Sequence, residues 1–436
     1  MPAVRRIPRV PWARIGRLVL TGCVLLLAFI GLLTLTRGTA VRHVRGIAVD
    51  GVPVAVGEPA FALAAAMATN TPLTRGNRVE VRLDGKGTFT QLWADLRSAQ
   101  STIALQMYYG QQGQVGDKLR EILLERAAAG VRVFVLYDAF GAQGIPKASL
   151  DAYRKAGVVA APFRPFRLSS LHLFQNRSHV RGVAIDGKIG WTGGFGIDDK
   201  WLGDGRSNGS WRETNVRFEG PAVIQLLAGF AAAWTEATGN LFTGRPTVSE
   251  YPDGAVAGFL YATPTLGSTA AERFMALSIA GARKTLYITN AYFAPDRNFI
   301  ELLVAAARRG VDVRLLTSGE STDVDTVRYA GRAWYGMLLS AGVRVYEWQP
   351  TTLHSKTMVV DGLWSAIGSI NFDNRSMALN DESALMTLDG KVGAEMDRLF
   401  LDDLRLASEI TADAFRQRSW FQKIGEWGAG LFRRVL

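Results

Sequence analysis

The stretches ILLERAAAGVRVFVLYD (residues 122–138) and ELLVAAARRGVDVRLLTS (residues 301–318) decide the fold. Each opens with apolar residues three to four apart, passes one glycine (Gly130, Gly310) and ends in a valine-rich run. That pattern predicts a helix, a turn and a buried strand. Downstream, KAGVV (155–159) matches SAGVRV (340–345), with Gly157 against Gly342. The chain therefore carries one α/β unit twice.

Working outward, strands are predicted at 79–83, 103–108 and 131–137, with helices at 89–99 and 117–129 between or beside them. The second half repeats the order: helix 271–282, strand 286–289, helix 299–309, strand 311–316. The halves are placed at 77–243 and 255–412, joined through 239–253. Residues 37–76 read as a linker with one short helix. The fold class is α/β, with layered sheets and helices.

Length and composition agree with this. The 436 residues are ample for a core, and 48% apolar with 20% charged residues excludes a disordered chain. Fifty Lys and Arg against 39 Asp and Glu give a net charge of +11, which favours anionic partners. The lone Cys23 excludes an intrachain disulfide and a cysteine zinc site. With four histidines (His43, His172, His179, His354), no multi-histidine metal centre is expected.

Residues 18–36, LVLTGCVLLLAFIGLLTLT, carry no charge. At about 1.5 Å per residue they span roughly 28 Å, one hydrocarbon core. They are read as an uncleaved transmembrane helix behind a basic cytoplasmic tail, 1–17. Arg5, Arg6, Arg9, Arg14 and Arg17 precede the span, against Arg37, Arg42 and Arg45 after it. This bias points to a cytoplasmic N-terminus and an outward-facing body. At the other end, 413–436 is read as an amphipathic segment. Trp420, Ile424, Trp427, Leu431 and Val435 recur at helical spacing among Lys423, Arg433 and Arg434, the pattern of an interfacial helix on anionic lipid or of a helix packed on the body.

Two of the four histidines fall at a constant offset of 175. His354-Ser-Lys356 is followed by Asp361-Gly362 and Gly368-Ser369-Ile-Asn371. His179-Val-Arg181 is followed by Asp186-Gly187 and Gly193-Gly194-Phe-Gly196. Residues i and i+2 of a strand share a face, so each histidine shares a face with a cation. Asp186 and Asp361, seven residues on and before glycine, suit turns rather than chemistry. Gly194 and its neighbour permit close backbone approach to an anion. Two His-plus-cation pairs suit a phosphodiester. One imidazole attacks phosphorus, the other protonates the leaving alkoxide, and the cations hold the non-bridging oxygens.

At these residues the sequence resembles the phospholipase D superfamily, whose signature is H-x-K-x4-D followed by G-S/G-x-N. The resemblance covers nearly all of 77–412 and is closest to the bacterial cardiolipin synthase branch. It rests further on Tyr292-Phe293-Ala-Pro295-Asp296, Gly331-Arg332-Ala-Trp-Tyr335, Asn374-Arg375-Ser376, Leu379-Asn380-Asp381-Glu382, Trp211-Arg212-Glu213-Thr214 and Glu219-Gly220-Pro221-Ala222-Val223. It implies two homologous α/β sandwich halves about a pseudo-twofold, preceded by the membrane helix. It also implies that His179 and His354 share nucleophile and acid duty, that Lys356, Ser369 and Asn371 bind phosphate, and that Glu213 and Glu382 hydrogen-bond the histidines. No cofactor is implied.

Three departures lie in the first half. Arg181 stands where Lys is usual, Gly196 where the second half has Asn371, and Asn215 where His is common in that branch. Arg keeps the charge but is not interchangeable with Lys.

The resemblance implies a phosphatidyltransferase joining two phosphatidylglycerols through a phosphohistidine, with phosphatidylglycerol and the bilayer of a bacterial inner membrane as partners. A phospholipase or headgroup exchanger needs the same residues. A nuclease is disfavoured by the anchor and by the absence of a basic run interleaved with aromatics, so no nucleic-acid partner is expected. The nucleophilic histidine, the acceptor alcohol and the oligomeric state stay open at this point.

Overall fold

The computed structural model describes residues 12–37, 44, 54–168, 173–207, 209–244, 246–264 and 267–432. Most of the basic tail, much of the linker, His43, His172 and the last four residues lie outside them.

The first half contributes β1 (Thr74–Leu83), β2 (Thr102–Met107), β3 (Arg132–Asp138), β4 (Val159–Phe163), β5 (Gly182–Ile185), β6 (Ile189–Gly193) and β7 (Thr214–Glu219). The second contributes β8 (Ala255–Ala262), β9 (Thr285–Asn290), β10 (Phe293–Ala294), β11 (Asp312–Ser318), β12 (Arg344–Trp348), β13 (Lys356–Val360), β14 (Trp364–Gly368), β15 (Phe372–Asp373), β16 (Glu382–Leu388) and β17 (Ala407–Ile410).

Their order gives the symmetry. The first half runs β1-β7-β6-β5-β2-β3-β4, and the second runs β8-β16-β14-β13-β9-β11-β12 with β17 outside. Element for element this is one topology twice, and β1 pairs antiparallel with β8, so a single 15-stranded sheet crosses both halves. In each half three strands are parallel (β2, β3, β4; β9, β11, β12) and need helical crossovers. The helices Gln114–Ala128 and Arg297–Arg308 supply the first crossover of each.

Three apolar clusters hold the layers. One belongs to the first half, around Leu92, Ile103, Ile122 and Trp191. Another belongs to the second, around Phe274, Ile288, Leu303 and Trp364. The third joins them: Phe218, Phe230 and Trp234 from one side, Phe259, Trp348, Leu385 and Phe400 from the other.

The structure differs from the reading in three places. The helix predicted at 89–99 spans Asp84–Ser98, because Gly85, Lys86 and Gly87 hide its first turn from an apolar count. β1 begins five residues before the predicted strand. The short helix expected in the linker is Phe61–Thr69, but it is no linker helix: its Phe61 and Ala65 are buried in the second-half core against helix Ala270–Gly281. Residues 54–72 are thus part of the folded body.

The helix Trp12–Arg37 contains the predicted span, and its stretch Trp12–Phe29 is long and apolar enough to cross a membrane.

Candidate active site

Each signature histidine precedes a strand, and each is anchored by the opposite half. The His179 amide donates to the Asp381 carbonyl at 2.8 Å, and Ser178 forms a bridge with Asp381. The His354 amide donates to the Arg212 carbonyl at 2.8 Å, and Arg212 forms a bridge with Leu353. The loop entering β5 is thereby tied to the turn before β16, and the loop entering β13 to the turn before β7.

This exchange sets the carboxylates. His179 Nδ1 lies 3.0 Å from both oxygens of Glu382. His354 Nδ1 lies 2.6 Å from Glu213 Oε2. Each imidazole thus donates Nδ1–H to a glutamate of the other half, which leaves Nε2 as the basic nitrogen. Burial, more than any charge, pushes both glutamates up to about 7, with Lys356 and Arg181 pulling Glu213 back down. Burial and then the nearby cations, Arg181 foremost at His179 and Lys356 at His354, hold both imidazoles well below their ordinary range. The resting imidazoles are therefore neutral at pH 7.

Both histidines open onto one cavity of about 520 Å³, shared with Arg181, Asn371, Arg375, Lys200, Tyr108, Tyr292, Trp201 and Trp211. The rings around it follow the pseudo-symmetry. Tyr108, just after β2, meets His179 edge-on at 5.0 Å, and Tyr292, just after β9, meets His354 edge-on at 6.1 Å.

The two sides differ at Nε2. Arg181 Nη1 is 3.0 Å from His179 Nε2 and donates to it. Among the described residues, His354 Nε2 has no such donor. Lys356 turns its ammonium to the His354 carbonyl instead, and burial brings it down to about 7. Asn371 presents a side-chain oxygen without a hydrogen-bond partner.

The other residues singled out in the sequence sit elsewhere. Ser369 Oγ donates to Glu382 Oε2 at 2.6 Å and accepts from the Ser383 amide. It braces the acid, and its hydroxyl is not free for phosphate, contrary to the sequence reading. Gly194 is corrected in the same way. Its amide donates to Asn215 Oδ1 at 3.1 Å, and a Cβ there would lie 2.3 Å from Glu213 Oε2. Glycine stands at 194 so that Glu213 can pass. Asp186 and Asp361 lie at the far strand ends with left-handed backbone. Asp186 accepts the amides of Gln100, Ser101 and Thr102, and Asp361 those of Arg283, Lys284 and Thr285.

The departures find reasons here. Asn215 holds the Gly194 and Phe195 amides through Oδ1 and Thr88 through Nδ2. Gly196 gives its space to Trp201, whose ring lies 2.7 Å from where a Cβ would be. Trp201 Nε1 donates to Glu213 Oε2 at 3.3 Å, so the indole takes a place beside the acid. Lys200 then fits among three rings, 3.8 Å from the Tyr109 centroid and 4.0 Å from Trp211. Sequence reasoning missed Lys200, Trp201 and Tyr108, which belong to no quoted motif. Trp211, Tyr292 and Arg375 do lie within the segments that carry the family resemblance.

Comparison with known proteins agrees with this architecture. Residues 276–404 match the model described as a cardiolipin synthase, PLD-like domain. The cardiolipin synthase of Geobacillus kaustophilus (strain HTA426) is 34% identical over 387 residues, covering 87% of this chain and 76% of that protein. The chain belongs to the cardiolipin synthase family. Cardiolipin synthase A of Pseudomonas syringae pv. syringae (strain B728a) is also 34% identical, over 84% of this chain and 77% of its own length. The crystal structure of phosphatidylserine synthase from Haemophilus influenzae Rd KW20 shares the fold at TM-score 0.62 and 14% identity, covering 86% of this chain and all of that one. As a cardiolipin synthase family member, the chain is a phospholipase D superfamily phosphatidyltransferase with a phospholipid substrate.

Proposed function

We propose that this chain transfers a phosphatidyl group between two phosphatidylglycerol molecules, giving cardiolipin and glycerol, through a phosphohistidine. The observation that carries the proposal is the pair of imidazoles opening onto one cavity, each backed by a buried carboxylate of the opposite half.

The neutral Nε2 of one histidine attacks phosphorus, and the bond from phosphorus to the headgroup glycerol oxygen breaks. The other imidazole delivers a proton to that oxygen, and glycerol leaves. The terminal hydroxyl of a second phosphatidylglycerol then gives its proton to the same imidazole and attacks phosphorus. The P–N bond breaks and cardiolipin is released.

Glu213 and Glu382 fix the tautomers and stabilise the imidazolium that forms. Arg181 donates to the non-bridging oxygens, as Asn371 would through its Nδ2 amide, and the Lys356 ammonium behind them adds positive potential. A bound phosphate anion offsets the cations that depress the imidazoles, so the acid partner can hold its proton. Asp186 and Asp361 keep the strand ends closed and take no part.

The same reading puts the helix Trp12–Arg37 in a bacterial inner membrane as a single span, with the body on the outer side by the arginine bias.

The test incubates the full chain in phosphatidylglycerol vesicles beside His354→Ala, with products read by mass spectrometry. Cardiolipin and glycerol from the parent alone are expected. Phosphatidic acid in their place would make the chain a hydrolase. Identical product traces from both proteins would overturn the enzymatic reading for this lipid.

A further inference from the structure

The C-terminal helix Trp420–Gly430 is packed with Glu426 and its small residues Ala429 and Gly430 inward. Glu426 is 1% exposed, although it is the only acid of the helix. Its Oε1 accepts from Arg332 Nε at 3.1 Å and its Oε2 from Arg418 Nε at 2.8 Å. Arg332 also reaches Glu347, and Arg418 stacks on buried Phe415 at 3.7 Å. The large side chain that attaches the helix is therefore ionic and buried, and its bonds are shared among three elements. A capping box, Ser419 with Gln422, starts the helix at a fixed position.

The apolar residues point the other way. Trp420, Phe421, Ile424 and Trp427, with Leu431 and Phe432 just beyond, are each between 56% and 68% exposed. A helix held to a soluble body by hydrophobic burial shows the reverse orientation. An exposed apolar patch of this kind marks an interaction surface. Lys423 stands exposed on the same helix, and the sequence that follows it carries Arg433 and Arg434, a cationic composition that suits an anionic surface.

The patch adjoins the cavity. The helix packs on Asp325–Arg332, and its Ala429 joins a cluster with Val324, Val327 and Tyr292, which line the cavity wall. On the first-half side, Phe140 lines the same cavity and is itself exposed. Phe140 and Phe166 each meet Phe174 edge-on, and both of these rings are exposed too.

We propose that the outward face of Trp420–Gly430, with the rings of Phe140, Phe166 and Phe174, is a docking surface for an anionic phospholipid bilayer, which sets the mouth of the cavity against the leaflet. The surface is inferred from burial and charge alone and does not depend on which reaction the cavity performs.

The test uses the full chain with Cys23→Ser, reconstituted in vesicles of phosphatidylglycerol and phosphatidylethanolamine. Single cysteines at Trp427→Cys, Phe166→Cys and, as a solvent-exposed control, Glu395→Cys carry an environment-sensitive fluorophore. Ile424→Cys serves as an alternative to Trp427→Cys, and circular dichroism checks that each variant is folded. Doxyl groups placed shallowly on the lipid chains should quench the label at 427 and 166 at least threefold more than at 395. Aqueous iodide should show the opposite order. Equal iodide quenching at 427 and 395 would overturn the proposal. Protection at 427 without doxyl quenching, accompanied by energy transfer between labelled chains, would assign the face to a second copy and equally overturn it.

Discussion

Glu382 lies under His179 and accepts hydroxyl donors from Ser369 and Ser376 as well as the imidazole proton. Burial lifts it from an ordinary 4.5 to about 7, so the folded chain holds that proton more tightly than the unfolded chain does. Its contribution to stability is complete below about 4.5 and is lost as the pH rises through 7. Glu382→Gln does not titrate. Denaturant unfolding of the full chain should show the variant gaining on the parent from pH 5 to about pH 7 and levelling above it, and a flat or falling difference over pH 5 to 7 would contradict this. Cardiolipin formation by the same variant should fall about 10³- to 10⁴-fold, because the imidazole loses the anion that fixes its tautomer. At this scale the residue types singled out in the sequence, both histidines, both glutamates and Arg181, do meet at one site, and their catalytic roles are the proposal made above. The sequence misled at Ser369 and Gly194. A hydroxyl beside glycine suits a phosphate as well as it suits a carboxylate, and only the position of the glutamate decides.

At the scale of elements, β5 with β6 and β13 with β14 form one hairpin used twice. The Asp before glycine closes each by capping three amides of a neighbouring segment. That role could be read from spacing, since the seventh residue falls on the opposite face from the histidine. The filling of the gap at Gly196 by Trp201 could not, because a distant indole leaves no local trace. Gly196→Asn should therefore not restore the matching amide of the second half. The added Cβ meets the Trp201 ring at 2.7 Å, and overpacking of this kind costs about 1–3 kcal/mol. It should also disturb the Trp201–Glu213 bond behind His354. A lowered melting temperature with lowered cardiolipin formation is expected, and a gain in turnover would refute the account of this gap. Element boundaries slipped where glycine or lysine interrupts the apolar count, as at Asp84–Ser98. The short helix of the linker was expected, but its docking was not legible, because the partner of Phe61–Thr69, Ala270–Gly281, is two hundred residues away in sequence.

For the whole molecule, the repeat made the two halves legible, and the strand order carries the same symmetry through 14 strands. The interlock was not legible, because nothing local says that a histidine takes its carboxylate from the opposite half. Arg212 is the clearest strut. Its guanidinium reaches Asp403 of the second half at 2.7 Å and Asp84 of the first at 3.2 Å, and its carbonyl holds the His354 amide. Arg212→Met strands two buried aspartates and should cost about 3–5 kcal/mol. Because one sheet and one apolar cluster cross the boundary, tryptophan fluorescence and far-ultraviolet circular dichroism should report one shared unfolding transition, displaced in this variant. Two separated transitions would show the halves to be independent. The sharpest test of a single shared site is a double-mutant cycle on cardiolipin formation with His179→Ala, His354→Ala and the pair. If both imidazoles serve one phosphorus, either single loss should nearly equal the double loss. Losses that multiply, or one variant with near-parental turnover, would contradict it.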